Sequence, residues 1–215
     1  MDNIGGERVP HRGNESEIAL PEIDSKLAQL KDFETDLQND EVNKAIIALH
    51  GVFDQQFQWF QSRNIVITYH GSLQYNDPRN LDADIEFMGD NLEFKDVRDK
   101  FSEAEDGLME SGAWPRKNCD TNFGICSISK IKRELKEFEG ERYDPNPKED
   151  RDLNPELDSA LILSSKVLYE DQKPQLEDLQ KEVRKLIAGN QWLREGVLDV
   201  LTGVVAVRQD RRKRA

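Results

Sequence analysis

From Ile23 the apolar residues fall at helical spacing, as Ile23, Leu27, Leu30, Phe33 and Leu37, with Asp24 and Ser25 placed to cap the start. Asn39 and Asp40 punctuate this pattern. A second helix is predicted from about Glu41 to Ser62, its broad stripe made of Val42, Ile46, Leu49, Val52, Phe53, Phe57 and Phe60. The period then changes. Ile65-Val66-Ile67-Thr68-Tyr69 is a β-branched run suited to a buried strand, and it stops at His70-Gly71-Ser72. Turn residues occupy 74–80. Leu81-Asp82-Ala83-Asp84-Ile85-Glu86-Phe87-Met88 then alternates acid with apolar side chain, the two-residue period of a strand with one buried face. Gly89 and Asp90 close it.

Beyond this pair of strands, a helix is expected over 95–112 (Val97, Phe101, Ala104, Leu108), a third strand within 121–128 and a charged helix over 129–139. The segment 140–155, GERYDPNPKEDRDLNP, reads as a loop from its Pro, Asp and Asn content. Three further helical patterns follow, over 156–169, 175–188 and 190–207. The division is a flexible N-terminal segment 1–22, a core 23–139, the loop 140–155, a helical C-terminal region 156–207 and a basic tail 208–215.

Composition narrows the function classes. The 215 residues carry 43 acids against 30 bases, a formal net charge of −13. Such a surplus argues against generic binding to a nucleic-acid backbone, which needs clustered Lys and Arg. With 36% hydrophobic and 34% charged residues, part of the chain is expected to be solvated tail or loop around one domain. No stretch approaches the ~20 apolar residues of a membrane span. The opening MDNIGGERVPHRGNESE lacks the apolar core of a signal peptide. Cys119 and Cys126 make no disulfide framework and read as reduced thiols. A cytoplasmic protein without membrane contacts is the expectation.

The chemistry-bearing feature is Gly71-Ser72 after a buried strand, with Asp84-Ile85-Glu86 on the next. Strand residues two apart share a face, about 6.6–6.8 Å apart along the backbone, so their carboxylates can converge on a hard cation such as Mg2+. Two such ions ~3.5–4 Å apart would stabilise the attacking and leaving oxygens of a phosphoryl displacement. A Gly-Ser turn offers a triphosphate close backbone approach at Gly71, exposed N–H groups and the Ser72 hydroxyl.

Tyr69-His70-Gly71-Ser72 followed by Asp84-Ile85-Glu86-Phe87 resembles the signature of the DNA polymerase β-like nucleotidyltransferase superfamily, over roughly Glu41 to Ile131. The resemblance implies an α+β fold: a small mixed sheet flanked by helices, here with a helical C-terminal region. It implies Mg2+ (or Mn2+), an NTP such as ATP as substrate, and transfer of its NMP to a hydroxyl-type acceptor with release of pyrophosphate. Gly71 and Ser72 would hold the triphosphate, and Asp84 and Glu86 would ligate metal. Asp82 shares their face, so an Asp82/Asp84 register is the alternative; the Gly-Ser spacing favours Asp84/Glu86. The family's third acid has no counterpart within Thr121–Ile128, and Asp120, just before it, is the substitute.

The acceptor is expected to be a small molecule or a protein rather than long nucleic acid. The alternative is a nucleotide-binding or regulatory module that does not transfer, acting through its C-terminal helices. Lys130, Lys132 and Arg133 are read as a solvated helix face, with neutralisation of triphosphate charge as the second reading. Trp59, Trp114 and Trp192 are read as core or interface. The apolar faces of the last two helices suit core packing or a dimer seam, and Arg211-Arg212-Lys213-Arg214 a solvated end.

Overall fold

A computed structural model describes residues 19–34, 40–75, 83–90, 92–114, 121–145 and 153–213. In chain order the elements are α1 (Pro21–Glu34), α2 (Asp40–Phe53), a 3-10 turn (Asp54–Gln56), α3 (Phe57–Gln61), β1 (Val66–Tyr69), α4 (Gly71–Gln74), β2 (Ala83–Gly89) and α5 (Phe94–Ser111). They continue with β3 (Thr121–Ser127), α6 (Ile128–Glu134), α7 (Pro155–Ser164), β4 (Lys166–Val167), a second 3-10 turn (Glu170–Gln172), α8 (Lys173–Gly189) and α9 (Gln191–Lys213). The fold is mixed α+β.

The four strands form one sheet in the order β3-β2-β1-β4. β1 is antiparallel to β2 (Thr68 opposite Glu86) and to β4 (Tyr69 opposite Lys166), whereas β2 and β3 run parallel with Glu86 opposite Gly124. The alternation on β2 sorts its side chains as the sequence pattern required. Ile85 and Phe87 enter a core with Ile67, Phe53, Phe60 and Phe101, built by α2, α3 and α5. Val66, Met88 and Cys126 enter a second core with Ile23, Leu30, Ile162, Val183 and Val197. The sheet is therefore a middle layer. The apolar faces of α8 and α9 are buried within the chain itself, on the same side of the sheet as Glu86.

Several elements differ from the pattern reading, and the charged helix expected over 129–139 ends at Glu134, with turns over 135–140. The expected single helix over 41–62 is broken by the 3-10 turn at Asp54–Gln56. Tyr169 docks there, its hydroxyl donating to Asp54 Oδ1 at 3.0 Å and its ring resting on Phe57 at 4.2 Å. The helix expected over 156–169 stops at Ser164, and Lys166–Val167 instead pairs with β1. Finally, α9 continues to Lys213, so residues 208–213 of the basic tail are helical. They are also docked: the Arg208 guanidinium lies 4.2 Å from the Tyr75 ring, and that of Arg212 4.6 Å from Phe33. Trp114 and Trp192 are buried, as expected of core residues. No helix among the described residues is long and apolar enough to cross a membrane.

Where β4 ends, a side chain completes the edge of β1. Gln172, 3% exposed, donates from Nε2 to the Ile65 carbonyl at 2.9 Å and accepts the Ile67 N–H at 3.0 Å. Gln172→Leu leaves two buried main-chain groups without partners. The expected cost is about 3 kcal/mol of unfolding free energy, measurable by urea denaturation. A change below about 0.5 kcal/mol would show that water replaces the amide at this edge.

Candidate functional site

β1 leads directly into the candidate site. His70 is extended, and Gly71 turns the chain at φ +66°, the left-handed region that glycine enters at little cost. This corner faces β2. The Asp84 carboxylate rests on Gly71, where a Cβ would overlap Oδ2 and stand 3.3 Å from Cγ. The His70 N–H donates to the Asp84 carbonyl at 3.2 Å, fixing the corner to the strand. Asn122 of β3 donates from Nδ2 to Asp84 Oδ1 at 3.4 Å.

Two residues along the same face, Glu86 is 7% exposed, and its main chain is held by Thr68, whose hydroxyl donates to the Glu86 carbonyl at 3.2 Å. The Glu86 carboxylate lies over Gly124, where a Cβ would stand 2.7 Å from Cδ. Among the described residues its oxygens have long contacts: His70 Nε2 at 3.4 Å from Oε1, and the Cys126 thiol donating to Oε2 at 3.6 Å. The absence of an acid on β3 thus has a steric counterpart. The face presented to β2 carries Asn122, Gly124 and Cys126, and the glycine leaves room for the Glu86 head.

Behind Glu86 is a buried polar group that sequence reasoning missed. Lys130 Nζ bonds Asp158 Oδ2 at 2.7 Å and lies 3.9 Å from Glu134 Oε1. Asp158 and Glu134 are 7% and 3% exposed. Burial pushes the Asp158 carboxyl up to about 6 against the pull of Lys130, and the charges of Glu134 and Glu86 add to the rise. Burial works against the Lys130 ammonium too, but its bond to Asp158 and the charges of Asp158 and Glu134 leave it raised. The Cys126 thiol is pushed well up by burial, then by Glu86 and Asp158, and stays protonated. Lys130 is therefore not part of a solvated face, although Lys132 and Arg133 are exposed. The available signal was an Asp between Leu157 and the apolar Ala160–Leu163 run.

Of the residues singled out from the sequence, Gly71, Asp84 and Glu86 come together at one corner, with the His70 ring against Glu86. Ser72 lies in α4, its side chain outside the described residues. Asp82, Asp120 and Cys119 also lie outside them. Among the described residues no group of three or more His, Cys, Asp or Glu side chains is arranged to hold a metal ion. Compared with protein-family models, curated proteins and solved structures, the chain matches none.

Proposed function

We propose that this chain is a divalent-metal-dependent nucleotidyltransferase that moves an NMP from an NTP to a hydroxyl-type acceptor. One observation carries the reading: Asp84 and Glu86 project from one strand face against the corner made by His70 and Gly71. The donor set suits Mg2+ or Mn2+. It is anionic and all oxygen, and among the described residues the nearly buried Glu86 has no side-chain partner closer than 3.4 Å. Asp84 and Glu86 would hold the ion, with Asp120 as a third acid from the segment before β3. When bound, the ion would supply positive charge to the phosphate oxygens. Gly71, lacking a Cβ, lets the Asp84 carboxylate close onto the corner, and the Gly71-Ser72 turn would supply donors to the phosphates. His70 orients Glu86. Catalysis would rest on positioning and fixed charge rather than on a covalent intermediate.

A second reading has its own observation. The β3 face opposite β2 carries Asn122, Gly124 and Cys126 and no carboxylate, which suits a module that binds nucleotide without transferring it.

The test is incubation with labelled NTPs and Mg2+ or Mn2+, with small-molecule and protein acceptors and with the chain alone. Metal-dependent labelling is expected, and it should vanish in Asp84→Ala/Glu86→Ala while the circular dichroism of that variant stays native. Labelling that survives the double substitution overturns the site. Metal-dependent nucleotide binding with no transfer to any acceptor establishes the second reading.

A further inference from the structure

We propose that the cleft between α1, α8 and the α7–β4 junction binds a small molecule bearing phosphate groups. The cleft encloses about 720 Å³, within the ~300–1,000 Å³ usual for small-molecule sites. It is distinct from the Asp84–Glu86 corner and shares no residue with it. In a chain of net charge −13 its lining has the opposite balance: Lys31, Lys166, Lys181, Arg184 and Lys185 against Asp24, Glu34 and Glu177. Two of those acids are matched inside the cleft, Asp24 by Arg184 at 2.7 Å and Glu34 by Lys166 at 3.0 Å. A positive concavity on an acidic protein draws anions locally, whatever the global charge.

The floor is built for a ligand with both polar and apolar parts. Leu27, Leu30 and Leu163 provide apolar contact, and Ser165 is more than nine-tenths buried with a hydroxyl that finds no hydrogen-bond partner among the described residues. Lys181 and Lys185 pair along α8 with Asp178 and Glu182, each at 2.9 Å. Exposed pairs of this kind are worth about 0–1 kcal/mol, so a phosphate bearing two or more charges outcompetes them.

The cleft wall is also tied to α4. Gln74, the last residue of that helix and 3% exposed, donates from Nε2 to Glu34 Oε1 at 3.0 Å and to the Ser164 carbonyl. Glu34 is the acceptor of Lys166. An anion that draws Lys166 away changes the surroundings of the Gln74 amide, at the end of the turn that begins at Gly71. Occupancy of the cleft is thus sensed next to the other site. The binding itself is independent of whether that site transfers nucleotides.

The experiment is calorimetric titration of the full chain with inorganic pyrophosphate and inorganic phosphate. EDTA is present, so that no divalent ion loads the Asp84–Glu86 corner. Pyrophosphate is expected to bind below about 1 mM and more tightly than phosphate. Charge reversal of two exposed residues, Lys31→Glu/Lys185→Glu, should weaken it at least about tenfold, because it removes cations within a Debye length of the anion. Lys132→Glu/Lys136→Glu, exposed residues outside the cleft lining, and Asp84→Ala/Glu86→Ala, should leave the affinity unchanged. The Gln74 side-chain amide should shift in 1H–15N spectra on addition of pyrophosphate. No binding by about 1 mM overturns the proposal. So does an equal loss in the Lys132/Lys136 variant, which would make the effect one of net charge, or a loss in the Asp84/Glu86 variant, which would place the anion at the other corner.

Discussion

Under the nucleotidyltransferase reading proposed above, Gly71→Ala is expected to lower transfer by roughly a hundredfold while the protein stays folded. Displacements of about 1 Å at a positioned reacting group cost that much. Two penalties coincide at this residue. A side chain at φ +66° costs about 1–2 kcal/mol in backbone energy. In addition, the new Cβ would occupy the space of the Asp84 carboxylate, which must swing away or force the corner open. The two penalties can be separated within this molecule. Gly112, the left-handed cap of α5 at φ +60°, has nothing among the described residues within 4 Å of a Cβ built on it. Gly112→Ala therefore carries the backbone penalty alone. Gly71→Ala should lose at least as much stability in urea as Gly112→Ala, and only Gly71→Ala should lose activity and metal-dependent nucleotide affinity. Wild-type transfer by Gly71→Ala would show that the Asp84 carboxylate takes no part in the chemistry at this corner.

The same corner shows what a sequence discloses and what it withholds. β1 and β2 were legible because burial wrote itself into composition: a β-branched run at 65–68 closed by Tyr69, and strict alternation from Leu81 to Phe87. Alternation also put Asp84 and Glu86 on one face before any coordinates existed. Their closeness to Gly71 and His70 depended on β1 and β2 pairing antiparallel in register, which the Gly-Ser spacing hinted at and the backbone supplies. The two-residue β4 was not legible. Leu161-Ile162-Leu163-Ser164-Ser165-Lys166-Val167-Leu168 keeps a helical spacing throughout, and only the open edge of β1 makes Lys166 and Val167 extended. Nor could periodicity separate Lys130 from Lys132 and Arg133, since the three lie within one helical turn of each other. The difference is set by α7, which brings Asp158 to Lys130 from elsewhere in the chain. Gly124 was passed over for the same reason: its meaning lies in the Glu86 head above it, a relation across strands.

That buried pair gives the second large expected effect. Lys130→Met should destabilise the fold by roughly 3 kcal/mol at pH 8, because it leaves two nearly buried carboxylates, Asp158 and Glu134, without their shared cation. The pH dependence carries the signature. In the wild-type protein the Asp158 carboxyl sits at about 6 rather than at 3.8, mainly through burial. The folded state thus holds this proton more tightly than the unfolded one, so the contribution favours folding below the unfolded value and is lost as pH rises through about 6. Removing Lys130 takes away the bond that holds the Asp158 pKa down, so the folded value rises further and the loss extends to higher pH. Urea denaturation at intervals from pH 5 to 8 should show the variant approaching wild-type stability at the acid end and falling behind at the alkaline end. Adding Asp158→Asn should recover most of the loss and flatten the profile, because an amide at that depth carries no charge to strand. If Lys130→Met instead loses the same stability at every pH, the damage comes from lost packing of the lysine stem rather than from the uncompensated acids, and Asp158→Asn will not repair it.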